Sequence, residues 1–485
     1  MKLKDIKGIK TIQESFRTRQ VKYGGYAALI TLAVIVGLIL VNLIIGQFSP
    51  QIDMTEGGIF SLTEQTLQVV DQIKTPVIFY GLWSSGQENT QLTEVMDLYL
   101  SRNRNIRVEV VDPNKNPGLV SRFDKTNEGI PNGSLVVEGE KGSKVITPMD
   151  MYDFSYNQQS GNRSLMGISM ERRITSALLY VATGHTPVIY EISGHQEVPL
   201  SEIGMQAVVE RENFLVKQIN LIQSPIPNDA SSLILHSPHS DLSRGEADKI
   251  LDFLEKGGRF LVLADYRIRE LPILNEIMAS YGMRFDYGYL LENDSSHTAG
   301  VAYMAIPSLL EHDITKPLAE QNAPVLIPFS MGISETSAKR RSVELKPLLS
   351  SSPNSFLRTD LEEESTTRVR SDLPGPITMA MVAKDPSWIQ GNEPQARIAA
   401  IACGQLLQPV SYFGQIPGNI DLFMNTLTWL EDRPETLSVR SKSMFLLPMR
   451  VTGFQMILFG VIFVIVIPVA FFISGFIIWL RRRHL

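Results

Sequence analysis

The segment DLSRGEADKILDFLEKGG, Asp241 to Gly258, constrains this chain more than any other. It opens with Ser243 and Glu246 at capping-box spacing, puts Ala247, Ile250, Leu251 and Leu254 on one helical face, and stops at Gly257. On either side stand short apolar runs of strand length, Ser232–Ser237 and Arg259–Ala264. Strand, helix and strand at this spacing predict a right-handed crossover in a parallel sheet. Further strands are expected at Val188–Ser193 and Phe214–Leu221. The α/β pattern returns in PITMAMVAKD and QARIAAIACG, followed by the helix NIDLFMNTLTWL, whose Ile420, Phe423, Met424, Leu427 and Leu430 share a face.

An earlier stretch alternates in the same way. SLTEQTLQVVDQI has Ser61 and Glu64 at capping-box spacing, Pro76–Trp83 is strand-like, and Leu92–Leu100 is helix-like. IRVEVVDP, SLVVEG and KVITPMD follow, the last two separated by EKGS as in a hairpin. This order resembles the thioredoxin fold. Where a redox thioredoxin needs Cys-x-x-Cys, the chain reads WSSGQEN, which excludes thiol chemistry in this region. Between Asp286 and Asp372 the pattern is irregular, and TDLEEESTTRVRS reads as an exposed acidic loop.

Two uncharged apolar runs, Tyr26–Ile45 and Met456–Leu480, have the length of membrane-spanning helices. Seven cations precede the first and Arg481, Arg482 and Arg483 follow the second, so the positive-inside rule predicts two cytosolic tails. Trp479 and the three arginines are expected as interfacial anchors. Leu3, Ile6, Ile9 and Ile12 suggest a basic amphipathic helix at the N-terminus. Pro468 and Gly475 are candidate kink or packing positions in the second run. With the ten tail cations and two tail acids set aside, Tyr26–Leu480 carries 35 cations against 49 acids. That balance argues against nucleic acid as a partner. Cys403 is the single cysteine, so no intramolecular disulfide can form.

The strand in PVIYEISGHQE ends on Gly194, His195 and Glu197, at the carboxyl end where open α/β sheets bind ligands. Catalysis there needs a nucleophile on a strained turn beside the histidine. Cys403 lacks an elbow sequence, and no Gly-x-Ser-x-Gly occurs. His236, His239 and Asp241 offer nitrogen and oxygen ligands in HSPHSD, yet their position at a strand end is ordinary turn chemistry, and no metal or other cofactor is assigned. The six residues are retained as a candidate ligand or interaction site, with no catalytic residue. No phosphate-binding Gly-x-x-x-x-Gly-Lys-Ser/Thr motif is present, so any ATP hydrolysis belongs to another chain.

FSLTEQT at Phe60–Thr66, VIYEISGHQE, GNIDLFMNTLTWL at Gly418–Leu430, and SKSM at Ser441–Met444 before a final WLRRR together resemble the GldG-type auxiliary subunits of ABC transporters, known from bacterial gliding-motility systems and uncharacterised exporters. The resemblance implies an α/β fold with two transmembrane helices flanking a thioredoxin-like domain and a Rossmann-like domain similar to class I glutamine amidotransferases. It also implies a separate ABC ATPase and a multi-span permease as partners, beside membrane lipid. A related ectodomain subunit or a second copy of the chain is left open. The expected layout is a cytosolic basic segment (1–25), transmembrane helix (26–46), thioredoxin-like domain (47–168), Rossmann-like domain (169–440), linker (441–455), transmembrane helix (456–480) and cytosolic tail (481–485). The main domain would then lie outside the bacterial cytoplasmic membrane. Where the family often has Gly-Asp-Ser-Asp, this chain has Cys403-Gly404-Gln405-Leu406, without the acids. The expected function is that of a non-catalytic substrate-binding or coupling subunit. The alternatives are an extracytoplasmic hydrolase and a free-standing glycan-binding scaffold of the envelope.

Overall fold

The computed structural model describes residues 26, 29–40, 61–84, 86–124, 129–156, 163–266, 270–337, 342–385, 395–409, 416–432, 442–443 and 460–483. The chain divides into two compact units, Met1–Ile59 and Phe60–Leu485. In the first, the described residues include the helical run 29–40, whose side chains are almost all exposed.

The second unit is mixed α/β with several sheets. Its first part contains α1 (Glu64–Gln72), β1 (Val77–Leu82), α2 (Thr90–Arg102), β2 (Ile106–Val111), α3 (Pro117–Phe123), β3 (Ser134–Gly139) and β4 (Gly142–Ile146). The sheet order is β2-β1-β3-β4, with β1 and β2 parallel and the other pairs antiparallel. Helix α1 is capped by Thr63 rather than Ser61: the Thr63 hydroxyl accepts the Thr66 N–H, and Glu171 accepts both the Thr63 N–H and its hydroxyl. A short hairpin, β5 (Tyr152–Tyr156) and β6 (Arg163–Ile168), leads to α4 (Met170–Thr183), which ends on Gly184 at φ +67. From α4, Arg173 pairs with Glu212 at 2.6 Å, and the Ser176 carbonyl accepts from the Asn213 amide. Both partners lie in the next α/β layer.

That layer runs through β7 (Val188–Ile192), α5 (Met205–Arg211), β8 (Leu215–Ile219), β9 (Ala230–His236), α6 (Arg244–Glu255), β10 (Arg259–Leu263) and α7 (Pro272–Ser280). Smaller elements follow: β11 (Met283–Asp286), β12 (Tyr289–Leu291), β13 (Met304–Ala305), β14 (Ser308–Leu309), α8 (Lys316–Glu320), β15 (Ile327–Pro328) and β16 (Gly332–Glu335). The chain then returns through β17 (Glu344–Ser350), β18 (Phe356–Arg358), β19 (Leu373–Pro374), β20 (Thr378–Asp385), β21 (Ala396–Ile401) and α9 (Pro417–Leu430). The eight-stranded sheet has the order β14-β17-β20-β21-β10-β9-β7-β8. From β8 to β21 neighbouring strands are parallel; β20, β17 and β14 extend the sheet antiparallel.

Side-chain alternation along the strands sorts the core into two layers. Ile189, Leu261, Leu263, Ala399 and Ile401 face Met205, Val209, Leu422, Phe423 and Leu427 of α5 and α9. Their neighbours Tyr190, Phe260, Val262, Ile398 and Ala400 face Ile250, Leu254, Leu274, Ile277 and Met278 of α6 and α7. Burial on both faces explains why β10 after Arg259 and β21 after Arg397 read as apolar runs.

The expectation of two flanking transmembrane helices is overturned, because no helix among the described residues is long and apolar enough to cross a membrane. In the second apolar segment Ile462–Val466 form a π-helical stretch, and regular α geometry resumes at Ile467, beside Pro468, which has no N–H to donate. The α-helical part, Ile467–Arg483, is 17 residues long and ends on three arginines. Tyr26 and Trp479 are exposed. Ile45, Met456, the N-terminal basic segment and all but Lys442 and Ser443 of the expected linker lie outside the described residues, as do the side chains of Arg481, Arg482 and Arg483.

Candidate functional site at the switch point

Among the five parallel strands, β8 lies on one side of β7, and β9, β10 and β21 continue on the other. The chain thus reverses its direction of winding between β7 and β9. In open α/β sheets the crevice outside the carboxyl ends at such a point is the usual ligand position. Gly194 and His195 follow β7, and Ser237 to His239 follow β9.

The loop after β7 is shaped by backbone geometry that few residues tolerate. Gly194 has φ +129, and a Cβ there would fall 2.9 Å from the Asn220 side-chain nitrogen. Gln196 also has positive φ, +60. The Glu197 carboxylate folds back to accept the N–H groups of Gly194 at 3.0 Å and His195 at 2.7 Å, while its other oxygen lies 2.8 Å from His195 Nδ1. On the opposite side of the ring, His195 Nε2 is 3.2 Å from Glu246 Oε2. Glu246 is the third residue of α6, where it completes the capping box with Ser243. His195, Glu197 and Glu246 are all buried at the side chain.

These contacts set the charges. The hydrogen bond to Glu197 holds the His195 pKa above the ordinary imidazole value against the opposing effect of burial, and Glu246 adds to the rise. Burial works to raise Glu197, but its hydrogen bonds from the His195 ring and from backbone N–H groups win and lower its pKa. Glu191, buried within β7, is raised by desolvation despite accepting the Leu200 N–H.

His236 joins a different part of the site. Its Nδ1 lies 2.7 Å from the Val198 carbonyl and its Nε2 lies 3.0 Å from the Gly404 carbonyl. A neutral imidazole has one N–H for these two acceptors, and burial lowers the pKa of the ring. Backbone bonds from Val198 N to His236 O, from His239 N to His195 O and from Ser237 N to Leu263 O complete the closure. Gly404 is required there, since a Cβ would meet Ser237 Oγ at 2.6 Å and Asp265 Cβ at 2.8 Å. The loops after β7, β9, β10 and β21 are therefore packed against one another.

Not all six candidates converge. Gly194, His195 and Glu197 form one cluster, and His236 lies across the same backbone ties. His239 contributes its N–H, while its side chain is exposed and its Nδ1 faces the Ser237 carbonyl. Asp241 turns away to cap α7, accepting the N–H groups of Ile273 at 2.7 Å and Leu274 at 3.1 Å. Among the described residues no group of three or more His, Cys, Asp or Glu side chains is arranged to hold a metal ion. Cys403 is buried, its thiol donates to the Pro328 carbonyl at 3.1 Å, and desolvation raises its pKa far above the ordinary range.

Sequence reasoning missed Glu246 as a partner of His195, and Ser237 and Asp265 as the neighbours of Gly404. The capping-box spacing marked Glu246 as a helix cap, but its second contact joins residues 51 apart in sequence. It also missed Arg358, a fully buried guanidinium paired with Asp372 at 2.7 and 3.1 Å and donating to the carbonyls of Glu363, Ser365 and Thr367. The acidic loop is exposed at most of its side chains and wound around this one cation.

Residues 186–381 match the model of a family described as an ABC-type uncharacterized transport system. The match supports a transporter-associated auxiliary protein and implies association with an ABC transporter. It spans β7 to β20, including the loops after β7, β9 and β10. Residues 56–152, which cover the four-stranded sheet, match a domain of unknown function, DUF7088. No curated protein matches the chain. Among solved structures, the N-terminal domain of mmIFT52 is similar at 14% identity and a TM-score of 0.35, over 50% of this chain and 96% of that one. A putative ThuA-like protein from Parabacteroides merdae is similar at 10% identity and a TM-score of 0.31, over 51% and 90%. An exo-β-1,4-mannosidase, Op5Man5, from Opitutaceae bacterium strain TAV5 is similar at 9% identity and a TM-score of 0.26, over 73% and 50%. Likeness at these TM-scores carries no argument about function.

Proposed function

We propose that this protein is a GldG-type, non-catalytic auxiliary subunit of an ABC-type export or envelope-remodelling complex. It works with a separate ATPase and a multi-span permease at the bacterial cytoplasmic membrane, with both sheet regions on the outer side. The observation that carries the proposal is the family match over β7, β8, β9 and β10, four of the five parallel strands, with the loops that follow β7 and β9.

The chemistry of that region supports a docking or coupling role over turnover. Both ring nitrogens of His195 are engaged by buried carboxylates, and the Cys403 thiol is buried beneath the Pro328 carbonyl. Neither presents an accessible nucleophile beside a free base, which is the arrangement that acyl transfer requires. The sequence also contains no Gly-x-x-x-x-Gly-Lys-Ser/Thr motif. The loops instead form a stiff, hydrogen-bonded surface, suited to passing a displacement from a bound partner to the sheet.

The test is ATP hydrolysis. The purified chain is expected to hydrolyse none by itself, while adding it to the partner ATPase and permease changes their hydrolysis rate. Hydrolysis by the chain alone, or an unchanged rate on addition, contradicts the proposal.

A further inference from the structure

We infer that the protein self-associates through the free edge of β2, which pairs antiparallel with β2 of a second copy about a two-fold axis at Val108.

Strand β2 is the outer strand of the four-stranded sheet, and no described strand lies on its other side. Its ladder with β1 starts with Val77 N–H donating to Asn105 O and closes with Trp83 N–H donating to Val111 O, in register throughout. Arg107 and Glu109 therefore turn their peptide groups towards β1, and Val108 and Val110 turn theirs outward. Edge strands are normally protected by proline, charged side chains or a bulge. IRVEVV has no proline and no bulge, its two charges, Arg107 and Glu109, are of opposite sign, and Val110 is 58% exposed. The edges of the eight-stranded sheet differ: β14 has two residues, and on β8 Lys217 is paired with Asp229.

The charges favour a second copy in this register over its immediate neighbours. With the axis at Val108, Arg107 of one copy stands opposite Glu109 of the other, and Glu109 opposite Arg107, on an exposed face. Beyond the strand ends Arg104 would stand opposite Asp112, which already accepts the Asn114 N–H and faces Lys115 at 3.5 Å. Moving the axis to Arg107 or to Glu109 sets like charges directly opposite, which is destabilising. On the other face Val110 stands opposite Ile106, which is already buried within its own copy. A two-fold edge pairing is isologous, so it closes at two copies and leaves no free edge on that side.

Sedimentation velocity on the full-length chain over a rising concentration series tests this. A monomer–dimer equilibrium is expected, weakened by salt. Arg107→Glu and Glu109→Arg are each expected to weaken dimerisation by about tenfold or more, because each puts two pairs of like charges across the axis. Both side chains are exposed, so folding is expected to persist, and combining the two substitutions restores the wild-type equilibrium. A chain that stays monomeric throughout overturns the inference, as does a dimer indifferent to both single reversals. So does a double variant no stronger than the singles.

Discussion

His195 Nε2 lies 3.2 Å from Glu246 Oε2, the same oxygen that accepts the Ser243 N–H at the start of α6. One buried carboxylate thus caps a helix and holds the ring of a histidine in a neighbouring loop. With Glu197 on the other ring nitrogen, the switch-point loop is fixed by charge as well as by backbone bonds.

This arrangement gives stability a pH window. Because the folded His195 pKa is raised, its contribution is complete below the ordinary value of about 6.5 and is lost as pH rises through the folded value. The lowered Glu197 contributes above about 4.3 and its share is lost as pH falls. Urea midpoints at pH 5.5 and pH 8.5 are expected to show this contribution in the wild type, and His195→Asn should remove it. A pH difference unchanged in the variant contradicts the role given to His195.

Gly194→Ala should destabilise the protein by roughly 1–3 kcal/mol, combining strain at φ +129 with a Cβ 2.9 Å from the Asn220 side chain. Denaturant unfolding measures this, and a loss below about 0.5 kcal/mol, the size of an ordinary surface substitution, contradicts the described loop.

Arg358→Ala leaves Asp372 buried without its cation and frees the three carbonyls the guanidinium held. Removing one partner of such a pair costs about 3–5 kcal/mol. The loop around Glu363 should also become sensitive to limited proteolysis. Arg358→Lys should recover only part of the loss, since an ammonium cannot reproduce the planar fork.

Cys403 should resist thiol reagents in the folded protein and react only on unfolding, because its sulfur is buried and its thiolate disfavoured. Labelling of the native chain at the rate of a free thiol contradicts this placement.

Local signals were legible where the local chain determines the outcome. The Ser243 and Glu246 spacing produced the capping box seen at α6, and the apolar runs gave β7, β9 and β10 to within two residues at either end. Ser61 failed as the cap of α1 because Thr63 has Glu171, more than a hundred residues away, to hold its N–H and hydroxyl. Asp241 looked like part of a histidine cluster because its other neighbours, Ile273 and Leu274 at the start of α7, are distant in sequence. Apolar length alone misled at the flanks, since composition carries no sign of the π-helical interruption at Ile462–Val466. Winding order, which locates the switch point, is likewise a property of the assembled sheet.

The most direct measurement is affinity purification of the full-length protein from native membranes in mild detergent, with quantitative mass spectrometry of what remains bound. An ABC ATPase and a multi-span permease recovered at a fixed ratio to the chain is the predicted result. Recovery of the chain alone, or only with further copies of itself, contradicts its assignment as an auxiliary transporter subunit.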